Sequence, residues 1–168
     1  ILTQLLVMAL KGVPAFYLPA LLASENDIKS FSMTGQRRDL NREKFKLDNL
    51  VSVLNNPESN ANKNIKYLGN AMDIRSKLEQ FHPSSEMECL SKGRSDIVVI
   101  KRGKGPKSVF AIHNMTENKI NYQLDYYDLP ELIDNDFNMK DFLASTKYNW
   151  KNISLDPFQV IWLGSLMK

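Results

Sequence analysis

Apolar residues open the chain as one dense run, Ile1-Leu2-Thr3-Gln4-Leu5-Leu6-Val7-Met8-Ala9-Leu10, closed by Lys11-Gly12. This pattern predicts a core helix, with Lys11 as a cation in its last turn and Gly12 just past its end. The run is too short for a membrane span, which takes about 20 apolar residues. It also lacks the basic leader and small-residue cleavage site of a signal peptide. A second run, residues 13–22, is almost continuously apolar and predicts a strand buried on both faces, as in a parallel sheet. Ser24 to Asn41 is polar and aperiodic, and reads as a long loop. Helical spacing returns at Phe45, Leu50, Val51 and Leu54, stopped by Asn56-Pro57. It returns again from Asn64 to Phe81 through Ile65, Leu68, Met72 and Leu78, stopped by His82-Pro83.

From Glu86 onward the period shortens. Asp96–Lys101 and Ser108–His113 are β-branched runs flanking Arg102-Gly103-Lys104-Gly105-Pro106-Lys107, the pattern of a hairpin. Ile120–Leu124 and Phe158–Leu163 predict two further strands. Short strands with polar turns between them suggest an antiparallel sandwich. The expected fold class is therefore α/β plus all-β, with the division near residue 84.

Composition narrows the function more than the fold. The chain has 168 residues, 43% hydrophobic and 24% charged, with formal net charge +3. That is ordinary globular material, far from the concentrated positive charge of a nucleic-acid binder, so neither nucleic acid nor membrane is an expected partner. Cys89 is the single cysteine, and His82 and His113 lie far apart. No disulfide, metal site or cofactor is expected from these residues. Asn114-Met115-Thr116 and Asn152-Ile153-Ser154 match glycosylation sequons, expected to be unused without a secretory signal. The expected compartment is the cytoplasm.

The candidate chemistry follows the second apolar run. Arg38-Asp39-Leu40-Asn41-Arg42 places guanidinium groups in a polar segment, each with several donors in a fixed fork suited to phosphate or hydroxyl oxygens. Gly12-Val13-Pro14-Ala15-Phe16-Tyr17, then Leu21-Leu22-Ala23-Ser24-Glu25-Asn26-Asp27, then the Arg38–Arg42 motif, resemble the α-amylase superfamily. More narrowly they resemble the sucrose-phosphorylase-like branch of glycoside hydrolase family 13. The specific motifs lie in residues 12–42, while the rest matches in character.

The resemblance implies that residues 1–83 form the C-terminal end of a (β/α)8 catalytic barrel, its last helix-strand-helix portion. Residues 84–168 would then be the antiparallel β-sandwich C-terminal domain. It implies a retaining glucoside phosphorylase acting on an α-glucoside with inorganic phosphate as co-substrate and giving glucose 1-phosphate. Arg38, Asn26, Asp27, Asn41 and Arg42 are its implied substrate- or phosphate-binding residues. The catalytic carboxylates belong to earlier barrel strands, and a whole barrel takes roughly 250 residues, so this chain alone is expected to be inactive. It is also expected to self-associate or to pack against the missing barrel.

The alternative is a standalone sandwich that binds sugar, or a weak polyanion-binding module using Arg37, Arg38, Arg42 and Lys44. Plainer roles stand beside several of these assignments. Arg37 reads as a solvated cation, Asn41 as a helix cap, Asn26 and Asp27 as turn residues, and Phe16 and Tyr17 as core aromatics. The acidic run Asp125, Asp128, Glu131, Asp134 and Asp136 lacks the glycine turn of a calcium loop and reads as a solvated connection. Tyr122, Tyr126, Tyr127, Trp150 and Trp162 admit either a carbohydrate platform or alternating core positions.

Overall fold

The structure, a computed structural model, describes residues 1–91, 93–129 and 138–165. In chain order it contains α1 (Leu2–Ala9), α2 (Leu18–Leu21), α3 (Ile28–Thr34), α4 (Leu47–Asn55) and α5 (Asn60–Lys77). Eight strands follow: β1 (Met87–Cys89), β2 (Ile97–Arg102), β3 (Val109–Asn114), β4 (Ile120–Tyr122), β5 (Asn138–Asp141), β6 (Lys147–Asn149), β7 (Ile153–Leu155) and β8 (Val160–Gly164). The chain divides into two compact units. One is Ile1 with Ala15–Asn70, and the other is Leu2–Pro14 with Ala71–Lys168.

The expected buried strand over residues 13–22 does not form. Tyr17 is extended, and Leu18–Leu21 then turn into helix α2. Among the described residues the run joins no ladder. Pro19 in the first turn explains the change, since its fixed φ suits a helix start and it has no N–H to give to a sheet. Val13, Tyr17 and Leu18 are exposed at 81%, 52% and 52%, so the apolar surface here is not buried on both faces. Asn64 on α5 donates its side-chain amide to the carbonyls of Ala20 and Leu21 at 3.1 and 2.8 Å, satisfying the end of α2.

The predicted long loop is also partly ordered. Asp27 caps α3, accepting from the Ser30 amide at 2.9 Å. Gly35 ends the helix in the left-handed region at φ 66°, where a side chain would be strained. No residue of α3 is buried, and Ile28 and Met33 are largely exposed.

In the second unit a six-stranded antiparallel sheet runs in the order β1-β2-β3-β8-β5-β6, with a two-stranded sheet β4-β7. The β2-β3 hairpin is as predicted, Val99 facing Ile112 and Ile100 facing Ala111. Val99, Ile112 and Ile161 are paired across three strands and share one core with Leu124 and with Ile153 and Leu155 from the second sheet. This is the expected antiparallel sandwich. Every residue of β3 and β8 is buried, because α1 lies against β3 and Phe81 stacks on Trp162 at 4.7 Å. Both faces of these strands are covered, so they read as continuous apolar runs without alternation.

The end of α1 is not capped in the way the sequence suggested. Lys11 is exposed and lies beyond the helix. The C-terminal carbonyls are taken instead by two distant guanidiniums. Arg102, wholly buried, donates to the carbonyls of Ala9 at 2.9 Å and Leu10 at 2.7 Å, and also to His82 at 2.9 Å. Arg75 donates to Met8 and Gly12 at 3.0 Å each. Two cations at a helix C-terminus satisfy orphan carbonyls and oppose the negative end of the dipole.

Candidate functional site

The arginine segment is built by short-range geometry. Gln36 leaves α3 in an extended conformation, and Arg37–Asn41 form a single 3-10 turn. Thr34 donates its hydroxyl to Asp39 at 2.6 Å, and the Asp27 amide donates to the Leu40 carbonyl at 2.7 Å. These bonds tie the turn to the start and the end of α3. Tyr17 then donates its hydroxyl to the Asn41 carbonyl at 2.9 Å. The apolar segment and the cationic turn, read as one feature in the sequence, are thus joined in space.

Tyr17, Arg37, Arg38, Asn41 and Arg42 line an open depression of about 540 Å³. Arg38 is 64% exposed, and its closest ion-pair partner is Asp39 at 4.0 Å. That contact is too long to use up the donors of a guanidinium. Among the described residues no ion pair holds Arg37 or Arg42. Three guanidiniums around one concavity have the donor chemistry that suits an anion or a cluster of hydroxyls.

The structure therefore brings Arg38, Asn41 and Arg42 together, and adds two residues with plainer expected roles. Arg37 lines the same wall, and Tyr17 is an exposed member of it, not a core aromatic. Asn26 and Asp27 are not part of this wall. Both carboxylate oxygens of Asp27 are engaged by Ser30, at 2.9 and 2.5 Å, and those bonds hold its pKa below the usual carboxylate range. Asp27 organises the loop that carries the arginines.

Other candidates resolve into structural roles. Asn114 is buried, with its amide donating to Asn118 and Asp156 at 2.7 and 2.8 Å, so the first sequon is not accessible. Asp141 is buried and accepts from the amides of Trp162, Leu143 and Ala144. Burial pushes its pKa up, and those amides pull it back down. Cys89 is a free, exposed thiol. Of the acidic run, Asp125 caps the turn at Tyr127, while Glu131, Asp134 and Asp136 lie outside the described residues. Among the described residues no cluster of three or more acidic, histidine or cysteine side chains can hold a metal. No described helix is long and apolar enough to cross a membrane.

Comparison with known proteins gives the cationic turn its context. No protein-family model matches the chain. A glucosylglycerate phosphorylase from Allomeiothermus silvanus is 30% identical over 114 residues, covering 68% of this chain and 20% of that protein. Its counterpart from Escherichia coli is 21% identical over 163 residues, covering 97% of this chain and 27% of that protein. Among solved structures, an Anoxybacillus α-amylase aligns with 99% of this chain and 32% of its own, at a TM-score of 0.66 and 17% identity. A trehalose-6-phosphate hydrolase from Bacillus licheniformis aligns with 96% and 37%, at a TM-score of 0.66 and 16% identity. The chain shares the fold of the α-amylase superfamily. It resembles the sucrose-phosphorylase-like members of glycoside hydrolase family 13, and its sandwich is consistent with the C-terminal domain of that family. It spans 20% and 27% of the length of these two curated phosphorylases.

Proposed function

We propose that this chain is the C-terminal part of a retaining glycoside phosphorylase that cleaves an α-glucoside with inorganic phosphate and releases glucose 1-phosphate. In this reading residues 1–83 close the (β/α)8 barrel and residues 84–168 are its sandwich. The relatives named glucosylglycerate phosphorylase make glycerate the favoured acceptor half of the glucoside.

The observation that carries the proposal is the depression ringed by Arg37, Arg38, Asn41 and Arg42 beside Tyr17. A retaining enzyme of this type uses two carboxyls about 5 Å apart, one attacking the anomeric carbon and the other protonating the leaving oxygen. Phosphate then replaces water as the second nucleophile. A dianion approaching a carboxylate-rich site needs fixed positive charge close by, and guanidiniums supply it with directional donors and no loss of charge near neutrality. Arg38 is assigned to the phosphate or the glucosyl hydroxyls, with Asn41 and Arg42 beside it. Asn26 and Asp27 hold the loop at the substrate entrance.

The two carboxyls come from earlier barrel strands of the longer protein, so this chain by itself is inactive. The exposed apolar residues Val13 and Leu18 pack against that barrel. The protein is placed in the cytoplasm, where free phosphate is its co-substrate, and it requires no further cofactor. The test is phosphate-dependent release of glucose 1-phosphate from glucosylglycerate by the longer protein. Hydrolysis at the same rate with and without phosphate refutes the assignment as a phosphorylase.

A further inference from the structure

We infer that Tyr17 is a positioning residue, whose hydroxyl fixes the place of the cationic turn and thereby of Arg38. The role rests on the reading above, in which Arg38 contacts the phosphate or the glucosyl unit. Arg38 is 64% exposed, and its closest ion-pair partner is Asp39 at 4.0 Å. A long side chain held so loosely takes its place from the backbone that carries it. What holds that backbone therefore sets the geometry of the contact.

Two hydrogen bonds tie the turn to α3 and its cap, from the Thr34 hydroxyl to Asp39 at 2.6 Å and from the Asp27 amide to the Leu40 carbonyl at 2.7 Å. Neither reaches the segment before α2. The Tyr17 hydroxyl does, donating to the Asn41 carbonyl at 2.9 Å from 24 positions upstream. Tyr17 is a firm anchor for this bond. It is the extended residue immediately before α2, where Pro19 fixes φ. Asn64 of α5 then holds the carbonyls of Ala20 and Leu21 at the other end of α2. The bond itself lies at the surface, and Tyr17 is 52% exposed. Water can replace the lost donor at the Asn41 carbonyl, so removing the hydroxyl costs the fold little. Its loss is felt where the turn is aimed.

The test is a double-mutant cycle in the longer protein with Tyr17→Phe, Arg38→Ala and the pair, following glycerate release from glucosylglycerate with phosphate present. Glycerate release counts phosphorolysis and hydrolysis alike, so the cycle is read even where the enzyme proves to be a hydrolase. The expected result is that Tyr17→Phe lowers kcat/KM about three- to tenfold with an unchanged Tm. In the Arg38→Ala background the same substitution has no further effect, because it acts through Arg38. A purely structural role would instead cost the same factor in both backgrounds, and that result overturns the inference. An unaffected Tyr17→Phe beside an impaired Arg38→Ala also overturns it, and leaves the assignment of Arg38 standing. An unaffected Arg38→Ala overturns both.

Discussion

Arg102→Met is the perturbation that tests the physical account most severely. Methionine keeps an apolar stem of similar length in the buried slot and removes only the guanidinium. Three short charge-assisted bonds disappear, to Ala9 at 2.9 Å, Leu10 at 2.7 Å and His82 at 2.9 Å, together with a longer one to the Glu86 carbonyl at 3.3 Å. Each bond to a charged group is worth about 1.5–3 kcal/mol, but the three are not additive. Removing a buried cation that has no carboxylate partner among the described residues also recovers part of its desolvation cost. The net loss is therefore placed at about 3–4 kcal/mol, a large share of the ~5–15 kcal/mol that holds a domain together. Urea unfolding followed by tryptophan fluorescence, with Trp162 stacked on Phe81, gives the number. As a control, Lys63→Met breaks an exposed pair with Glu58 and should cost no more than about 1 kcal/mol. A loss below about 1 kcal/mol for Arg102→Met would refute the idea that distant arginines hold the end of α1.

Two further outcomes follow from burial and exposure. His113 is fully buried, and burial lowers its pKa to about 4 from 6.5, with nearby backbone oxygens of Val98, Leu5 and Ala111 opposing weakly. The unfolded chain takes up that proton first, so the associated stability is whole above about pH 6.5 and is lost as pH falls toward 4, by up to roughly 3 kcal/mol. Asp141, whose pKa burial raises, acts with the opposite sign as pH falls. Urea midpoints at pH 7.5 and 5 should differ for the native chain and converge for His113→Gln; equal midpoints in the native chain would contradict this. The exposed Val13, Tyr17 and Leu18 should drive concentration-dependent association of the isolated chain, relieved by Val13→Lys. A constant monomer mass across concentrations by sedimentation would count against it.

The sequence was most legible where local pattern and tertiary burial agree. The β2-β3 hairpin follows from β-branched runs around Gly103 and Gly105, and β8 from its apolar run. Strands β1, β5, β6 and β7 have three or four residues each, too short to show a period. The cap of α1 was illegible for a different reason. Its cations lie at positions 75 and 102, on α5 and β2, and only the folded chain brings them to residues 8–12. The motif around Arg38 was visible from residue types and spacing. The addition of Tyr17 and Arg37 to its wall was not, because that depends on the 3-10 turn and on the Tyr17–Asn41 bond.

The central claim is tested most directly by phosphorolysis in the longer protein carrying Arg38→Lys, compared with Arg37→Lys. Lysine keeps the charge and loses the bidentate fork. The account predicts that Arg38→Lys slows phosphate-dependent release of glucose 1-phosphate by about tenfold or more, near 1.4 kcal/mol per decade, while Arg37→Lys has a much smaller effect. Rates near that of the unaltered protein for both variants would contradict the account and leave Arg38 a surface residue.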